Sequence, residues 1–202
     1  MYTDNIGLII GFHGCSKELA DRVIKGTDDF KPSKKPYDWL GNGIYFWDRD
    51  SRRAYEFARE KKSKRPSVVG AIIDPKRCLD LRCRESQEIL REAYRDYCEG
   101  EGHPKAKNSS YEYGVPLRRN LDCYIINTAC AMIADAGGTV DTVIGTFFEG
   151  AEIYSGSGMR DKTHTQICVR NPECILGYFR PRNEDSGTIY FEDRSYGSSC
   201  CV

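Results

Sequence analysis

The chain has 202 residues, of which 40% are apolar, 11% aromatic and 30% charged, a composition that suits one domain with a proper core and a soluble surface. Its formal net charge is zero, which excludes a global attraction to nucleic acid or to an anionic membrane, so any such partner must be held by a local patch. No apolar run approaches the length of a membrane span, and the N-terminus lacks the basic and long apolar regions of a signal peptide. We therefore expect a cytoplasmic protein that does not enter a membrane.

The ten cysteines have no metal-binding pattern. No Cys-x-x-Cys occurs, and three histidines are few co-ligands for zinc, so we predict no metal site. In a cytoplasmic protein the thiols are expected to be reduced, with disulfides as the less favoured alternative.

The first elements along the chain are a strand, a helix and a loop. The nearly all-apolar run at 6–12 predicts a buried strand that ends at His13 and Gly14. Ser16 can cap a short amphipathic helix that stops at Gly26. Residues 27–40 contain two prolines and no apolar period, and they predict a surface loop.

After residue 66, strands alternate irregularly with two long helices. The pattern is not a repeated strand–helix–strand unit, and no Gly-x-Gly-x-x-Gly sequence opens a helix, which disfavours a doubly wound dinucleotide-binding fold. The sequence instead predicts an α+β domain over residues 1–182 and a polar tail over 183–202, whose one strand candidate is 188–191. Strands are predicted at 68–73, 79–81, 143–148, 166–170 and 175–179, helices at 85–97 and 122–136, and loops at 100–110 and 151–162.

Two glycines lead directly into a run of large apolar residues, since Gly41-Asn42-Gly43 is followed by Ile44-Tyr45-Phe46-Trp47. Glycine lets the backbone approach a neighbour closely and reach positive φ, and the run after it is typical of a buried strand. By itself this pattern predicts a tight turn and a core strand. Two more strands carry polar groups, at Phe12-His13-Gly14 and at Gln166, and three such strands far apart in sequence suggest a cleft assembled across a sheet.

Arginines and lysines cluster between residues 52 and 65. Ala54, Phe57 and Ala58 predict the inner face of a helix, which leaves the basic side chains on its outer face and beyond its end. Such a cluster is more often a solvated helix end than a binding site. It is still the best candidate in the sequence for contact with a phosphate-rich partner.

Taken in order, these motifs resemble the ADP-ribosyltransferase superfamily, in its branch of poly(ADP-ribose) polymerases and diphtheria-toxin-like proteins, and specifically a PARP-like catalytic domain of a bacterial type. The resemblance rests on Phe12-His13-Gly14, on residues 41–46 followed by a helix with Ala54, and on the strand at 166–169. It extends from His13 to about Phe179. It implies a split, mainly antiparallel sheet with flanking helices that binds NAD as a co-substrate.

The resemblance also implies a role for each matching residue in the first two motifs. His13 is expected to hydrogen-bond the ribose next to nicotinamide, and the Gly14 backbone to bind the carboxamide. Tyr45 is expected to stack on the nicotinamide ring. Gly43 belongs with these NAD-binding residues.

Two positions on the helix after the glycine turn match the family less closely. Either Arg53 or Ser51 is expected near the carboxamide. Either Tyr55 or Phe57 is expected to complete an aromatic sandwich around nicotinamide, although neither is in the expected register. We include Arg53 and Tyr55 in the predicted NAD site.

The third catalytic position departs from the family, because Gln166 stands where the polymerases have glutamate. Cleavage of the glycosidic bond of NAD builds positive charge on the ribose, which a carboxylate stabilises better than an amide. Gln166 can still orient the ribose by hydrogen bonding, but it cannot act as a base, which favours single transfer over chain elongation. Glu149, Glu152 and Asp161 are nearby acids that could substitute, and the loop at 154–162 matches the segment that selects the acceptor in the family.

We therefore predict a mono-ADP-ribosyltransferase, with His13, Tyr45 and Gln166 as its catalytic residues, that transfers ADP-ribose from NAD to protein, RNA or DNA. A role as a toxin or phage-defence effector is an analogy that suits a small enzyme of this kind. Three alternatives stay open. They are a catalytically silent module that binds NAD or ADP-ribose, an NAD glycohydrolase with water as acceptor, and an interaction domain with an empty cleft.

Overall fold

The computed structural model describes residues 7–182, except 62, 63, 101, 103, 113 and 114. The predicted tail at 183–202, with its strand candidate, lies outside the described residues. The strands are β1 (Ile9–Ser16), β2 (Ile44–Asp48), β3 (Pro66–Ile73), β4 (Cys78–Asp80), β5 (Asn108–Glu112), β6 (Val115–Arg119), β7 (Thr142–Phe147), β8 (His164–Val169) and β9 (Ile175–Phe179). The α-helices are α1 (Lys17–Ile24), α2 (Ser51–Glu60), α3 (Arg84–Glu99) and α4 (Asn120–Asp135), and a 3-10 turn spans Pro172–Cys174.

Seven strands form one sheet in the order β4-β7-β8-β2-β1-β3-β9, and β5 and β6 form a separate hairpin. Only β4 and β7 are parallel neighbours; the other described pairs are antiparallel. The prediction of an α+β fold with a mainly antiparallel sheet and flanking helices is therefore confirmed.

The sheet opens between β1 and β2. β1 pairs with β3 along its whole length, whereas its pairing with β2 ends at Phe12, opposite Trp47. Beyond that point the two strands part. The sheet thus has two halves, β4-β7-β8-β2 and β1-β3-β9. They pair with each other at one end of the edge between β1 and β2.

Helices cover both faces of the sheet. On one face, α1 buries Ala20 and Val23 together with apolar residues of β1 and β3. On the other, α4 buries Ile126 and its neighbours against β7 and β8, and α3 packs outside α4. Successive strand residues alternate between the faces, and accordingly Ile167 and Cys168 of β8 lie in these two different clusters.

β1 extends farther than the sequence predicts. The predicted strand ends at His13 and Gly14, but the observed strand continues to Ser16. Polar and small residues are weak strand formers, yet here the ladder to β3 holds them in extended backbone. Ser16 then caps α1, as predicted, by accepting a hydrogen bond from the Leu19 amide at 3.3 Å.

The β5–β6 hairpin is absent from the sequence prediction, which has a loop at 100–110. Four of the five β5 residues are exposed and polar or aromatic without alternation, so the period-two signal of a half-buried strand is missing. The first residue of β5, Asn108, is the partly buried one, and its side chain accepts hydrogen bonds from the backbone amides of Leu121 and Asp122. The hairpin is therefore joined to the beginning of α4.

Candidate active site

His13 lies where β1 and β2 separate. Its Nδ1 is 2.7 Å from the backbone oxygen of Tyr45, so a side chain bridges the two strands where their ladder has ended. The ring packs against Phe30, with centroids 4.1 Å apart, and against Phe46, with centroids 5.7 Å apart. This half-buried ring is thus fixed in the opening of the sheet.

The contact with Tyr45 determines the tautomer of His13. A carbonyl oxygen only accepts, so Nδ1 carries the proton and donates it to that oxygen, which leaves Nε2 with a lone pair. Burial lowers the pKa of His13, an effect that the hydrogen bond to Tyr45 opposes. The ring is therefore neutral at pH 7 and offers an acceptor at Nε2.

Gly14, the next residue of β1, lies against α2. A Cβ atom at this position would be 1.8 Å from the Ala54 backbone oxygen. Only glycine lets the helix come this close to the strand. The side of Gly14 that faces α2 is therefore filled by protein, and any ligand contact must use the backbone edge that faces the opening.

Tyr45 fixes the glycine turn with its side chain. Its hydroxyl donates to the Gly41 backbone oxygen at 2.6 Å and accepts from the Leu40 amide at 2.8 Å. The Tyr45 ring belongs to the cluster of α4, β7 and β8, on the opposite face of β2 from Phe46 and the His13 ring. The structure thus joins His13 to the backbone of Tyr45 and does not bring the two rings together.

The two glycines of the turn are required by close packing. Gly41 has a φ of +76°, and a Cβ there would be 2.7 Å from Asn127 Oδ1. A Cβ on Gly43 would be 2.4 Å from Cys168 Sγ, so Gly43 packs on β8. Asn127 Oδ1 also accepts a hydrogen bond from the Asn42 amide at 3.0 Å. These contacts account for the Gly-Asn-Gly sequence without a ligand.

Gln166 lies on β8, opposite Trp47 of β2, and so on the same face of the sheet as Tyr45. The structure therefore places Gln166 on the face opposite to the His13 ring, which packs on Phe30 and Phe46. The Gln166 Nε2 is 2.9 Å from Nε2 of His164. His164 Nδ1 is 2.7 Å from the Lys162 backbone oxygen, which makes Nδ1 the protonated nitrogen and Nε2 an acceptor. The Gln166 amide therefore donates to His164. Burial lowers the pKa of His164, so this ring too is neutral at pH 7.

An ion pair lies next to His164. Arg53 of α2 is 8% exposed, and its Nη2 donates to Glu149 Oε2 at 3.0 Å. The same carboxylate oxygen is 3.5 Å from His164 Nδ1, while the other Arg53 amino group donates to Glu56 at 3.3 Å. Arg53, Glu149, His164 and Gln166 thus form a continuous polar cluster, which we call the α2–β8 cluster.

The geometry distinguishes the three loop acids. Glu152 accepts a hydrogen bond from the Gly156 amide at 2.9 Å, and Asp161 accepts one from the Ala151 amide at 2.9 Å. Both carboxylates thus stabilise turns of their own loop. Glu149 alone of the three is in the α2–β8 cluster, one residue away from Gln166 through His164.

Trp39, Arg119 and Phe147 complete the surroundings of His164, and the sequence analysis assigns none of them to the site. The Trp39 ring stacks on His164 with centroids 5.8 Å apart. The Arg119 guanidinium lies 4.5 Å from the Trp39 centroid and 4.7 Å from that of Phe147. The sequence signal that identifies Trp39 as a candidate is a tryptophan in a loop whose other residues show no apolar period. Trp39 and Phe147 also line a cavity of about 700 Å³, and His164 is not among the residues that line it.

The other α2 residues that the sequence predicts near the NAD site mainly pack against protein side chains or begin the helix. Tyr55 and Phe57 pack around Trp47, with the Phe57 and Trp47 ring centroids 5.0 Å apart. Ser51 is the first residue of the helix, and Asp50 caps it by accepting from the Arg53 amide at 2.8 Å. Arg53 is therefore the α2 residue that the structure brings to Gln166, through Glu149 and His164.

No group of three or more metal-ligating side chains occurs in the part of the chain that the structure describes. Within the same residues, no helix is both long and apolar enough to cross a membrane. The eight cysteines that are described, all but Cys200 and Cys201, are free thiols.

Comparison with known proteins adds no relative. No protein-family model matches the chain, and neither does any curated protein or solved structure. The function therefore has to be argued from the motifs and from the geometry around His13 and Gln166.

Proposed function

We propose that the protein is a mono-ADP-ribosyltransferase that cleaves NAD at the nicotinamide glycosidic bond and transfers ADP-ribose to a macromolecule. The observation that carries the proposal is the opening between β1 and β2, where His13 bonds the Tyr45 carbonyl through Nδ1. Its Nε2 is then an acceptor, and a ribose hydroxyl is a matching donor. This is the contact that the resemblance assigns to His13.

The chemistry requires a group that stabilises positive charge on the ribose. As the bond between C1′ and the nicotinamide nitrogen breaks, its electron pair leaves with nicotinamide, and the acceptor attacks C1′ and loses a proton. The resemblance assigns the orientation of the ribose to the Gln166 amide. Because the Gln166 side chain and the His13 ring lie on opposite faces of the sheet, a ribose that contacts both has to lie in the opening between β1 and β2. We assign the compensating negative charge to Glu149, since it is the loop acid that reaches the α2–β8 cluster.

The test is nicotinamide release from NAD, with cell extract as a source of acceptors. Glu149→Gln should lower the rate on the order of a hundredfold, the usual loss when one electrostatic contact to a transition state is removed. The matched control is Glu152→Gln, which neutralises an acid of the same loop outside the cluster and should retain the wild-type rate. Equal rates for the two variants would contradict the assignment of Glu149.

His13→Asn tests the ribose contact separately. The asparagine amide can replace Nδ1 as donor to the Tyr45 carbonyl, but it lacks an acceptor at the position of Nε2. We expect a folded variant with at least tenfold weaker NAD binding by calorimetry. Unchanged NAD affinity would overturn the role proposed for His13.

One observation favours a second candidate, a catalytically silent module that binds NAD. Arg53 already neutralises Glu149 at 3.0 Å, which weakens the field that this carboxylate exerts on a ribose. NAD binding without nicotinamide release, with every acceptor source, would favour the silent module. Release of free ADP-ribose without labelled macromolecules would instead favour an NAD glycohydrolase.

We propose a cytoplasmic location because the eight described cysteines are free thiols, as expected under reducing conditions. Burial raises the pKa of Cys15 to about 11 and that of Cys78 to about 12. Both thiols therefore stay protonated and unreactive at neutral pH. Cys15, next to His13 and Gly14, is accordingly a packing residue and not a nucleophile.

A further inference from the structure

A second concave site lies beside the glycine turn. It has a volume of about 600 Å³, within the range of ligand pockets, and its walls come from the loop before the turn, the segment before β5, and α4. Four lysines line it: Lys34, Lys35, Lys105 and Lys107. We call this cavity the lysine groove.

The side chains that line the lysine groove carry positive charge only, although the Asp38 carboxylate borders the groove, where it accepts a hydrogen bond from the Lys35 backbone amide at 2.9 Å. Its four lysines are exposed, none of its described lining residues is acidic, and within the described chain none of the four ammonium groups is in an ion pair. Because the protein as a whole has no net charge, this is a local feature that only a local anionic ligand can use.

The basic cluster predicted at 52–65 is different. Arg52 is paired with Glu56 at 3.2 Å, and Arg53 is buried against Glu149. Arg65 lies 3.7 Å from Glu18. Intramolecular carboxylates thus pair with Arg52, Arg53 and Arg65, while Arg59, Lys61 and Lys64 are exposed. The lysine groove differs because its four basic side chains surround one cavity, which makes it better suited to bind phosphate.

The backbone under the lysines is held in place. Ser33, next to Lys34, exchanges two backbone hydrogen bonds with Gly43, at 2.8 and 3.1 Å. Ala106, between Lys105 and Lys107, donates its amide to the Tyr97 hydroxyl at 3.0 Å. The positive groups therefore project from fixed backbone on both sides of the groove, as a site organised before binding requires.

We propose that the lysine groove binds single-stranded nucleic acid. The lysines would contact phosphates. Tyr124 on the groove wall packs on Tyr97 with ring centroids 5.3 Å apart, and the part of its ring that faces the groove would contact an unstacked base. A cavity of this size has room for splayed nucleotides of a single strand. Asn42 of the glycine turn also lines the groove. A bound nucleic-acid strand would therefore lie next to the beginning of β2, the strand that carries Tyr45.

For the proposed transferase, single-stranded nucleic acid bound in this groove would be the acceptor class, an assignment that rests on the proposed function. Binding itself does not, because the groove shares no residue with His13 or the α2–β8 cluster. The test is therefore carried out without NAD. Failure of NAD cleavage would leave the result unaffected.

The experiment is fluorescence anisotropy with a labelled RNA of about ten uridines, a length within the usual range of single-strand sites. Four phosphate contacts predict a slope of about −2.8 in log K against log salt, which is about a 50-fold loss of affinity between 50 and 200 mM salt. Lys105→Gln/Lys107→Gln should halve the slope and reduce that loss to about sevenfold. The matched control is Lys25→Gln/Lys64→Gln, which removes equal charge at exposed sites outside the groove and should retain the wild-type slope.

Four outcomes would overturn the proposal. They are no binding by the wild type at 50 mM salt, an equal change in slope for the control pair, equal or tighter binding of a duplex of the same length, and equally effective competition by polyglutamate. The duplex result would indicate general attraction to phosphate, and the polyglutamate result would indicate an acidic peptide as the ligand. Circular dichroism of each variant verifies that the exposed substitutions leave the fold unchanged.

Discussion

Replacement of Arg53 by methionine isolates the ion pair within the α2–β8 cluster. The Arg53 side chain is 9% exposed and that of Glu149 is 16% exposed, with Nη2 and Oε2 3.0 Å apart. Methionine retains most of the apolar length of arginine and removes its charge and donors. The carboxylate of Glu149 is then left beside His164, a neutral ring, in a largely dehydrated position.

The expected loss follows from the cost of an uncompensated buried charge. Removal of one partner of a buried pair costs about 3–5 kcal/mol, and the residual exposure of Glu149 favours the lower end. We therefore expect Arg53→Met to reduce the free energy of unfolding by about 3 kcal/mol. Arg53→Met/Glu149→Gln should recover about 1 kcal/mol of that loss, because it also removes the stranded carboxylate.

The assay is equilibrium unfolding in urea, followed by the fluorescence of Trp39 and Trp47. Arg52→Met is the matched control, since this neighbouring arginine is 86% exposed and paired only at the surface, where ion pairs contribute little. If Arg53→Met and Arg52→Met had the same midpoint and slope, the pair would contribute nothing measurable. A fully additive double variant would likewise refute the coupling between Arg53 and Glu149.

Two further predictions concern β1. Since the pKa of His13 is lowered in the folded protein, the unfolded chain binds more protons just below pH 6.5, and the free energy of unfolding should fall as pH drops from 7 to 5. In urea titrations, His13→Asn should make this decline shallower and leave the part due to His164. An unchanged decline would contradict the argument. Gly14→Ala should cost at least about 2 kcal/mol because its Cβ would meet the Ala54 oxygen at 1.8 Å, whereas Gly177→Ala, with nothing within 4 Å, should be near neutral in thermal denaturation, and equal losses would refute the packing argument.

The elements that the sequence predicts well are those with an apolar period. α4 is one example, because Ile126, Cys130 and Ile133 recur at helical spacing and all face the sheet. β3 is another, because its apolar run is short, rich in β-branched valine and isoleucine, and followed by Asp74-Pro75, which favours a strand over a helix. The β5–β6 hairpin has neither feature, since its residues are mostly exposed and its position depends on Asn108 and the beginning of α4.

For the site, motifs locate strands better than they locate side chains. The sequence assigns the three predicted catalytic residues to three strands, and these strands are neighbours in the sheet: β1 with His13, β2 with Tyr45 and β8 with Gln166. The orientation of the Tyr45 ring toward α4 depends on its hydroxyl contacts with Leu40 and Gly41, which local sequence does not specify. The choice of Glu149 among three loop acids likewise depends on Arg53, a residue on a distant helix.

The environment of Gln166 gives a physical reason for the amide at this position. His164 presents Nε2 as an acceptor because its Nδ1 proton is used by the Lys162 carbonyl. The Gln166 amide nitrogen donates to that acceptor, which fixes the side chain and leaves its oxygen free of this contact to accept from a ligand hydroxyl. A glutamate would place a carboxylate against the lone pair of a neutral ring, and only a protonated His164 would relieve the repulsion. Since burial lowers the pKa of His164, protonation is unfavourable at neutral pH. Glutamine is therefore the residue that suits this neighbour, and for the proposed cleavage of NAD the negative charge is assigned to Glu149, on the far side of the same ring.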